Sequence, residues 1–215
     1  MSANWLPAGT VTGTLLNFRQ EVELWRERAN QPPYGAPPVA PVLYIKTANT
    51  FTPSGSGIAL PAGLDVEVAA SIGLVMGEGG AVSHAVLVND VSVAHDSYHR
   101  PAVKQRCRDG FLGLGQEAVA LDAIGGLDAL AALSIELRIN GVHRQTTHLA
   151  DLVRDARTLL RDVQAFMTLG PGDVLLLGTD CLPDGSRPRV VAGDVVEITA
   201  PGFKPALHRF EEAAP

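Results

Sequence analysis

Apolar and other residues alternate along the stretch GLDVEVAASIGLVMG, where every second position over 66–76 is hydrophobic. A period of two is typical of a β-strand with one face in the core. The opposite face starts acidic at Asp65 and Glu67 and then becomes small, at Ala69 and Ser71 among others. We predict one central strand over 66–76, with its apolar face in the core and Ala69 and Ser71 facing a pocket.

Several shorter segments also have strand patterns, separated by turn residues. Asn140-Gly141 lies between two alternating runs within 134–147, and Asn-Gly is the strongest two-residue signal for a β-hairpin. Further strands are predicted over 10–18, 42–46, 84–93, 172–179, 193–199 and 206–210.

Helical periodicity is found in two segments. Residues 18–29 form a modest amphipathic pattern, and 148–170 form a stronger one that ends at Gly170-Pro171. The five prolines within 31–41 predict an extended loop, because proline lacks the backbone donor that helices and inner strands need. Many strands, few helices and no alternating βαβ order indicate an α+β fold with a mostly antiparallel core.

Composition narrows the class of protein. The 215 residues suffice for one domain or two small ones, with 46% hydrophobic residues and a formal charge of −6, which argues against nucleic acid as a partner. Cys107 and Cys181 are too few for a disulfide framework. No apolar run approaches the ~18 residues of a membrane span, and the first residues lack the pattern of a signal peptide. We therefore expect a cytoplasmic protein that does not bind membranes.

The order of the elements and several motifs resembles the fumarylacetoacetate hydrolase family from about residue 10 to 210. The motifs are TLLNFRQEVELW, PPVAPVLYIKTANTFTPSGSGIALP, LVNDVSV, YHRPAVKQRCRDGF, RCRDGFLGLG and FMTLGPGDVLLLGT. The resemblance implies an α+β fold, namely a mixed β-roll that is strand-rich with few helices. It also implies a single domain over residues 1–215.

The same resemblance implies a divalent cation, Mg²⁺ or Mn²⁺, that chelates a 2-oxo or enol carboxylate. Its ligands are a Glu-x-Glu pair and an Asp that follows Asn. Residues i and i+2 of a strand project to one side, so two carboxylates can bind one ion. The ion stabilises the enolate formed by decarboxylation or proton transfer. The implied reactions are decarboxylation of 5-oxopent-3-ene-1,2,5-tricarboxylate and isomerisation of 2-hydroxyhepta-2,4-dienedioate, in the breakdown of 4-hydroxyphenylacetate.

The metal ligands of the family are incomplete in this sequence. The two glutamate positions fall on Ala69 and Ser71, which leaves Asp90 as the remaining ligand. Asp65 and Glu67 lie four residues before these positions, about 13 Å along a strand, too far to serve the same ion. We expect no stoichiometric divalent ion at Asp90 in the isolated chain.

Other candidate residues also follow from the resemblance. Glu21 stands where the family has a histidine, and Arg106 where it has a lysine, so both are candidate catalytic residues. Gly178, Thr179 and Lys46 are candidates for substrate binding, with Thr179 expected to bind a substrate carboxylate. Glu21 and Lys46 are also open to a structural interpretation. Glu21 can be a solvated residue of the amphipathic helix, and Lys46 can be a solvated lysine at a strand end.

Four further positions are open to a structural interpretation. Asp90 can be a turn former, and Thr179 can simply end a strand. His95 and His99, with Asp96 between them, suggest zinc ligation. Zinc usually takes three convergent protein ligands, so we interpret this polar segment as a surface feature.

Three functions remain compatible with the resemblance. The first is an enzyme subunit, a decarboxylase and isomerase of 2-oxo or 2-hydroxy polycarboxylates. The second is a non-catalytic structural partner of a paralogous chain that keeps the Glu-x-Glu pair. The third is an acylpyruvate hydrolase-like enzyme, which the missing glutamates disfavour. In each of the first two cases we expect a homodimer, or a heterodimer with a paralogous subunit.

Overall fold

A computed structural model describes residues 4–95 and 97–213, and within them the chain forms three α-helices and sixteen strands. The helices are α1 (Arg19–Ala29), α2 (Val103–Arg106) and α3 (Ala156–Gln164). The strands are β1 (Val11–Leu15), β2 (Val42–Lys46), β3 (Phe51–Thr52), β4 (Gly57–Leu60), β5 (Val66–Glu67), β6 (Ala70–Met76), β7 (Val82–Asp90), β8 (Ser92–Val93), β9 (Leu112–Leu114), β10 (Val119–Ala120), β11 (Ser134–Ile139), β12 (Val142–His148), β13 (Val174–Leu176), β14 (Arg189–Val190), β15 (Val195–Thr199) and β16 (Ala206–Glu212). This strand-rich α+β architecture confirms the predicted fold class.

The strands form three sheets. The large sheet has the order β2-β1-β13-β6-β7-β9-β3, with β10 beside β7. The second sheet has the order β12-β11-β15-β16-β4, and a small sheet has the order β14-β5-β8. Most pairs are antiparallel, while β1–β13, β3–β9 and β4–β16 are parallel. The predicted mostly antiparallel core is confirmed, with β6 inside the large sheet.

Strand β6 is buried on both faces. Ile72 and Leu74 belong to the main hydrophobic core and are fully buried. On the other face, a Cβ added to Gly73 would lie only 2.7 Å from Cγ1 of Val174 on β13. The small residue at this point therefore allows close side-chain packing within the sheet, and does not open a pocket.

The predicted continuous strand over 66–76 is wrong, because the chain breaks between β5 and β6. The backbone N–H of Val68 donates to the carbonyl of Pro188 at 2.9 Å, which continues the pairing of β5 with β14 by one residue. Glu67 then pairs in the small sheet, whereas Ala70 pairs in the large one. Alternation of side chains continues through this switch of sheets, so the pattern alone does not reveal it.

The helix predicted over 148–170 is shorter than expected, since α3 covers Ala156–Gln164. The carboxylate of Asp155 accepts a hydrogen bond from the backbone N–H of Thr158 at 2.7 Å, which fixes the start of the helix. Before this cap, Val153 N–H donates to the carbonyl of Asn17 at 2.8 Å. Tertiary contacts thus hold 152–154 out of the helix despite its apolar periodicity.

Local predictions elsewhere are confirmed. The hairpin of β11 and β12 turns at Asn140 and Gly141, whose φ angles are 53° and 76°. Such positive φ angles are what a two-residue hairpin turn requires. Helix α1 and strand β2 also match their predicted positions. Across the described residues, no helix has both the length and the apolar character needed to cross a membrane.

Candidate functional site

The register of β6 and β7 brings the family's ligand positions together. Ala70 pairs with Asn89, and the backbone N–H of Asp90 donates to the carbonyl of Ala69 at 2.8 Å. Side chains of directly opposed residues share a face, and so do those at i and i+2. Ala69, Ser71 and Asp90 therefore lie on one face, as the resemblance implies.

The side chain of Asp90 is fully buried and paired with two cations. Nζ of Lys46 lies 2.8 Å from one carboxylate oxygen, and Nη1 of Arg106 lies 3.0 Å from the other. The hydroxyl of Tyr44 also donates to the carboxylate. The Arg106 guanidinium stacks 4.4 Å from the centroid of the Tyr44 ring. We call these four residues the Asp90 cluster.

Lys46 is held by more than Asp90. Its ammonium donates to the carbonyls of Val91, Arg106 and Phe111 at 2.7, 2.9 and 2.8 Å. An ammonium has three N–H donors, so these carbonyls engage all of them. The alternative of a solvated strand-end lysine is therefore wrong. In this arrangement Lys46 has no donor left for a substrate carboxylate.

Electrostatics keep the Asp90 cluster charged. Burial by itself would raise the pKa of Asp90, but Lys46 and Arg106 more than offset this and hold the pKa below its usual range. Burial lowers the pKa of Lys46 to about 8, against the opposing attraction of Asp90. Burial and Asp90 raise the pKa of Tyr44, which therefore stays a protonated donor. The cluster holds one carboxylate and two cations at neutral pH.

These residues do not fit the divalent ion of the family. Ala69 has no ligand atom, and the hydroxyl of Ser71 donates to the carbonyl of Gly178 at 2.7 Å. Both residues are buried, and neither lines the cleft described below. Within the described residues, no three His, Cys, Asp or Glu side chains are grouped to hold a metal ion. The predicted pocket at Ala69 and Ser71 is not confirmed.

An open cleft of about 600 Å³ lies elsewhere, between α1, β5, the segment after β8 and the loop before β14. Its volume is within the range of small-molecule sites. Its lining includes the polar side chains of Glu21, Glu67, His95, Tyr98, Arg187 and Arg189. We call it the Glu21–Arg187 cleft.

Glu21 and Arg187 form a buried ion pair on the wall of the cleft. Nη2 of Arg187 lies 2.6 Å from Oε1 of Glu21, which also accepts from the Tyr98 hydroxyl at 2.8 Å. The other oxygen of Glu21 accepts from the backbone N–H of Leu16 at 2.9 Å. Nε of Arg187 lies 3.3 Å from the hydroxyl of Thr179. Glu21 is 3% exposed, so the alternative of a solvated helix residue is wrong.

Charges across the cleft shift the pKa values of its walls. Burial would lower the pKa of Arg187, but Glu21 outweighs it and raises the pKa, so Arg187 stays charged. Burial, together with Glu21, raises the pKa of Tyr98 to about 12. Burial raises the pKa of Glu67, partly opposed by Arg187, and burial lowers the pKa of His95. Glu67 is thus the cleft carboxyl whose pKa moves towards neutral pH, whereas burial favours the neutral form of His95.

The predicted site residues divide between two places. Lys46, Asp90 and Arg106 meet in the Asp90 cluster and do not line the cleft, although the charge of Arg106 acts on Glu67 and His95. Glu21 belongs to the cleft, and Thr179 contacts it through Arg187. The interpretation of Asp90 as a simple turn former does not account for its buried ion pairs with Lys46 and Arg106. Arg106, predicted as catalytic, is likewise buried against Asp90.

Gly178 lies between the two places, since its carbonyl accepts from Ser71 and the next residue reaches Arg187. Its φ of +108° is one that side-chain-bearing residues rarely adopt. The sequence patterns do not indicate Arg187, and they suggest Glu67 only as an ion ligand. The segment DGSRPR, soon after LLLGT, is the signal that would have suggested a cationic loop.

The histidine segment is only partly described. Asp96 lies outside the described residues. Nδ1 of His95 lies 2.9 Å from the carbonyl of Val93, and the ring of His99 contacts that of Tyr34 edge-on. The ring of each histidine therefore contacts another group of the protein.

Comparison with known proteins identifies the family. The family described as Fumarylacetoacetate (FAA) hydrolase C-terminal matches residues 10–210, and the chain belongs to this family. It is 37% identical over 207 residues to a 4-hydroxyphenylacetate degradation bifunctional isomerase/decarboxylase of Escherichia coli, covering 92% of this chain and 46% of that protein. The corresponding protein of Salmonella dublin is 38% identical, with 93% and 46% covered. The chain thus spans about half the length of the curated relatives it matches.

Solved structures confirm the fold type. The structure of 5-carboxymethyl-2-hydroxymuconate delta-isomerase from Mycobacterium smegmatis superposes with a TM-score of 0.78 at 23% identity, covering 98% of this chain and 79% of that chain. Relatives in the family carry the names of isomerases, decarboxylases and hydrolases. The family is therefore enzymatic, and its members generally use a divalent metal.

Proposed function

We propose that this chain is a cytoplasmic subunit of an isomerase/decarboxylase of 4-hydroxyphenylacetate catabolism. The observation that carries the proposal is the similarity of nearly the whole chain to one part of the bifunctional relatives. The substrate is a 2-oxo or 2-hydroxy polycarboxylate, and the Glu21–Arg187 cleft is where it binds. The family's divalent ion has no part in this proposal, because the residues at its position do not fit it.

The chemistry of the isomerisation suits the groups in the cleft. In 2-hydroxyhepta-2,4-dienedioate, a proton leaves the 2-hydroxyl, a proton is added at carbon 5, and the double bonds shift. Two carboxylates of the substrate need cationic partners, which Arg187 and Arg189 provide. A carboxyl with a raised pKa serves well as a proton carrier, and Glu67 is the cleft residue of that kind. Glu21 positions Arg187 through their ion pair.

The proposal is tested by following the ultraviolet absorbance of this dienol with the purified chain. We expect Glu67→Gln to lower kcat by about 10²- to 10⁴-fold, the usual range for removing a general acid or base. Arg189→Gln should raise KM instead. Glu78→Gln changes an exposed carboxylate outside the cleft and serves as the control. Wild-type activity in both cleft variants would contradict the assignment of the cleft.

A second function is favoured by the closed state of the Asp90 cluster. In this chain, Lys46 and Arg106 pair with the aspartate that the family uses as a metal ligand. Such a chain can act as the non-catalytic partner of a paralogous chain that keeps the Glu-x-Glu pair. In that case the purified chain is inactive alone but raises the activity of the paralogue. Activity assays on each chain and on their mixture separate the two functions, since only the second requires the heterodimer for activity. Light scattering verifies which dimer is present in each assay.

A further inference from the structure

Both carboxylate oxygens of Asp90 contact cationic nitrogens of the same chain. Lys46 lies 2.8 Å from Oδ1 and Arg106 lies 3.0 Å from Oδ2. A metal ion would have to bind one of these two oxygens, at about 2.0–2.1 Å for Mg²⁺. Each oxygen of the carboxylate that the family uses as a metal ligand therefore already lies beside a cation of the protein.

Each cation is also fixed independently of Asp90. Lys46 is anchored by three backbone carbonyls, from Val91, Arg106 and Phe111. The guanidinium of Arg106 is stacked on the ring of Tyr44. The two cations are thus built into the fold, and a side chain that merely relaxed towards a carboxylate would not show such anchoring.

The charges on this face also disfavour a divalent ion. Asp90 contributes one negative charge, whereas Lys46 and Arg106 contribute two positive ones, and the neutral Ala69 and Ser71 add none. A divalent ion would add two more positive charges within a few ångströms of a buried cluster that is already positive. Such repulsion is strong where water is excluded.

We infer that Lys46 and Arg106 take the place of the divalent ion at this position, so that Asp90 is compensated by the chain itself and the protein is independent of divalent metals. Lys46 is the main obstacle to an ion, because three backbone carbonyls hold its ammonium 2.8 Å from Oδ1 of Asp90, where its charge would repel the ion although it donates no hydrogen bond to that oxygen. The inference does not depend on the proposed function and holds equally for a non-catalytic partner.

Calorimetric titration with MnCl₂ tests this inference on the wild type and four variants. We expect no stoichiometric binding to the wild type or to Ala69→Glu/Ser71→Glu, because Lys46 and Arg106 attract the new carboxylates. Adding Lys46→Met to that pair removes the obstacle, and the triple variant should bind one Mn²⁺. Lys46→Met alone, with one carboxylate beside Arg106, should not bind.

Two results would overturn the inference. One is stoichiometric Mn²⁺ binding by the wild type that Asp90→Asn abolishes. The other is equal affinity of Ala69→Glu/Ser71→Glu with and without Lys46→Met, because Lys46 would then not occupy the ion's place. Circular dichroism verifies that each variant is folded. Should a glutamate variant not fold, the titrations of the wild type and Asp90→Asn still test whether the protein is independent of divalent metals.

Discussion

The Asp90 cluster and the Glu21–Arg187 cleft each contain a buried carboxylate paired with an arginine. The separations are similar, 3.0 Å for Asp90–Arg106 and 2.6 Å for Glu21–Arg187. They differ in what surrounds the pair. Asp90 has a second cation and is sealed from solvent, whereas Glu21 and Arg187 border a cleft of about 600 Å³. An ion pair that is sealed from solvent can affect only the stability of the fold, whereas an ion pair beside a cleft can also bind a ligand.

This difference explains how a family fold can keep its ligand-bearing strands without keeping the ion. The backbone still places positions 69, 71 and 90 on one face. Positions 69 and 71 carry no carboxylate, and Asp90 is paired with Lys46 and Arg106 of the same chain. The carboxyl whose pKa is raised towards neutrality lies in the cleft instead, at Glu67.

The largest expected effect on stability comes from removing the carboxylate charge of the Asp90 cluster. Asp90→Asn leaves Lys46 and Arg106 buried without a counter-charge, and we expect it to cost about 3–5 kcal/mol of unfolding free energy. Chemical denaturation measures this value. Asp128→Asn, which breaks the exposed pair with Arg157, is the control and should cost at most about 1 kcal/mol. Equal losses in the two variants would mean that the Asp90 cluster does not stabilise the fold.

A smaller effect is expected in the open region. Glu21→Gln removes the charge but retains an acceptor for Leu16 and a partner for Tyr98, so we expect a loss of about 2–3 kcal/mol. Glu23→Gln on the same helix breaks an exposed pair and should change stability by less than about 1 kcal/mol. A loss for Glu21→Gln larger than that for Asp90→Asn would reverse the comparison between the two regions.

The smallest effect concerns Glu67 and depends on pH. Its pKa is raised in the folded protein, so the folded state binds more protons and stability falls as pH rises through the ordinary pKa of glutamate. At pH 7 the ionised Glu67 is therefore a cost, and Glu67→Gln should stabilise the chain by less than about 1 kcal/mol. The gain should vanish at acidic pH, where Glu67 is protonated. Denaturation curves at both pH values, with Glu78→Gln as control, check this, and a gain that is independent of pH would contradict it.

The sequence predicted the elements that local chemistry decides. The Asn140-Gly141 turn and helix α1 depend on turn residues and periodicity within a few positions. The break between β5 and β6 depends instead on a hydrogen bond from Val68 to Pro188, a residue far away in the chain. Periodicity cannot report such a contact, so the strand over 66–76 was predicted as continuous.

The candidate site shows the same limit. Family resemblance selected Lys46, Asp90 and Arg106, and the fold does bring these three together. That the two cations pair with the same carboxylate could not be read from the sequence, because it depends on distances between three separate elements. The pairing of Glu21 with Arg187 joins residues 166 positions apart, which no local pattern indicates.

The central claim is that the chain itself supplies the positive charge at Asp90, and thermal unfolding of the wild type tests it most directly. Melting curves are recorded in EDTA and in excess Mn²⁺. If an ion bound and its free concentration were about 100 times its Kd, the fold would be stabilised by about 2.7 kcal/mol. This corresponds to a rise in melting temperature of roughly 5–10 °C for a chain of this size. The account predicts superimposable curves. A rise of that size with Mn²⁺, absent from Asp90→Asn, would contradict it.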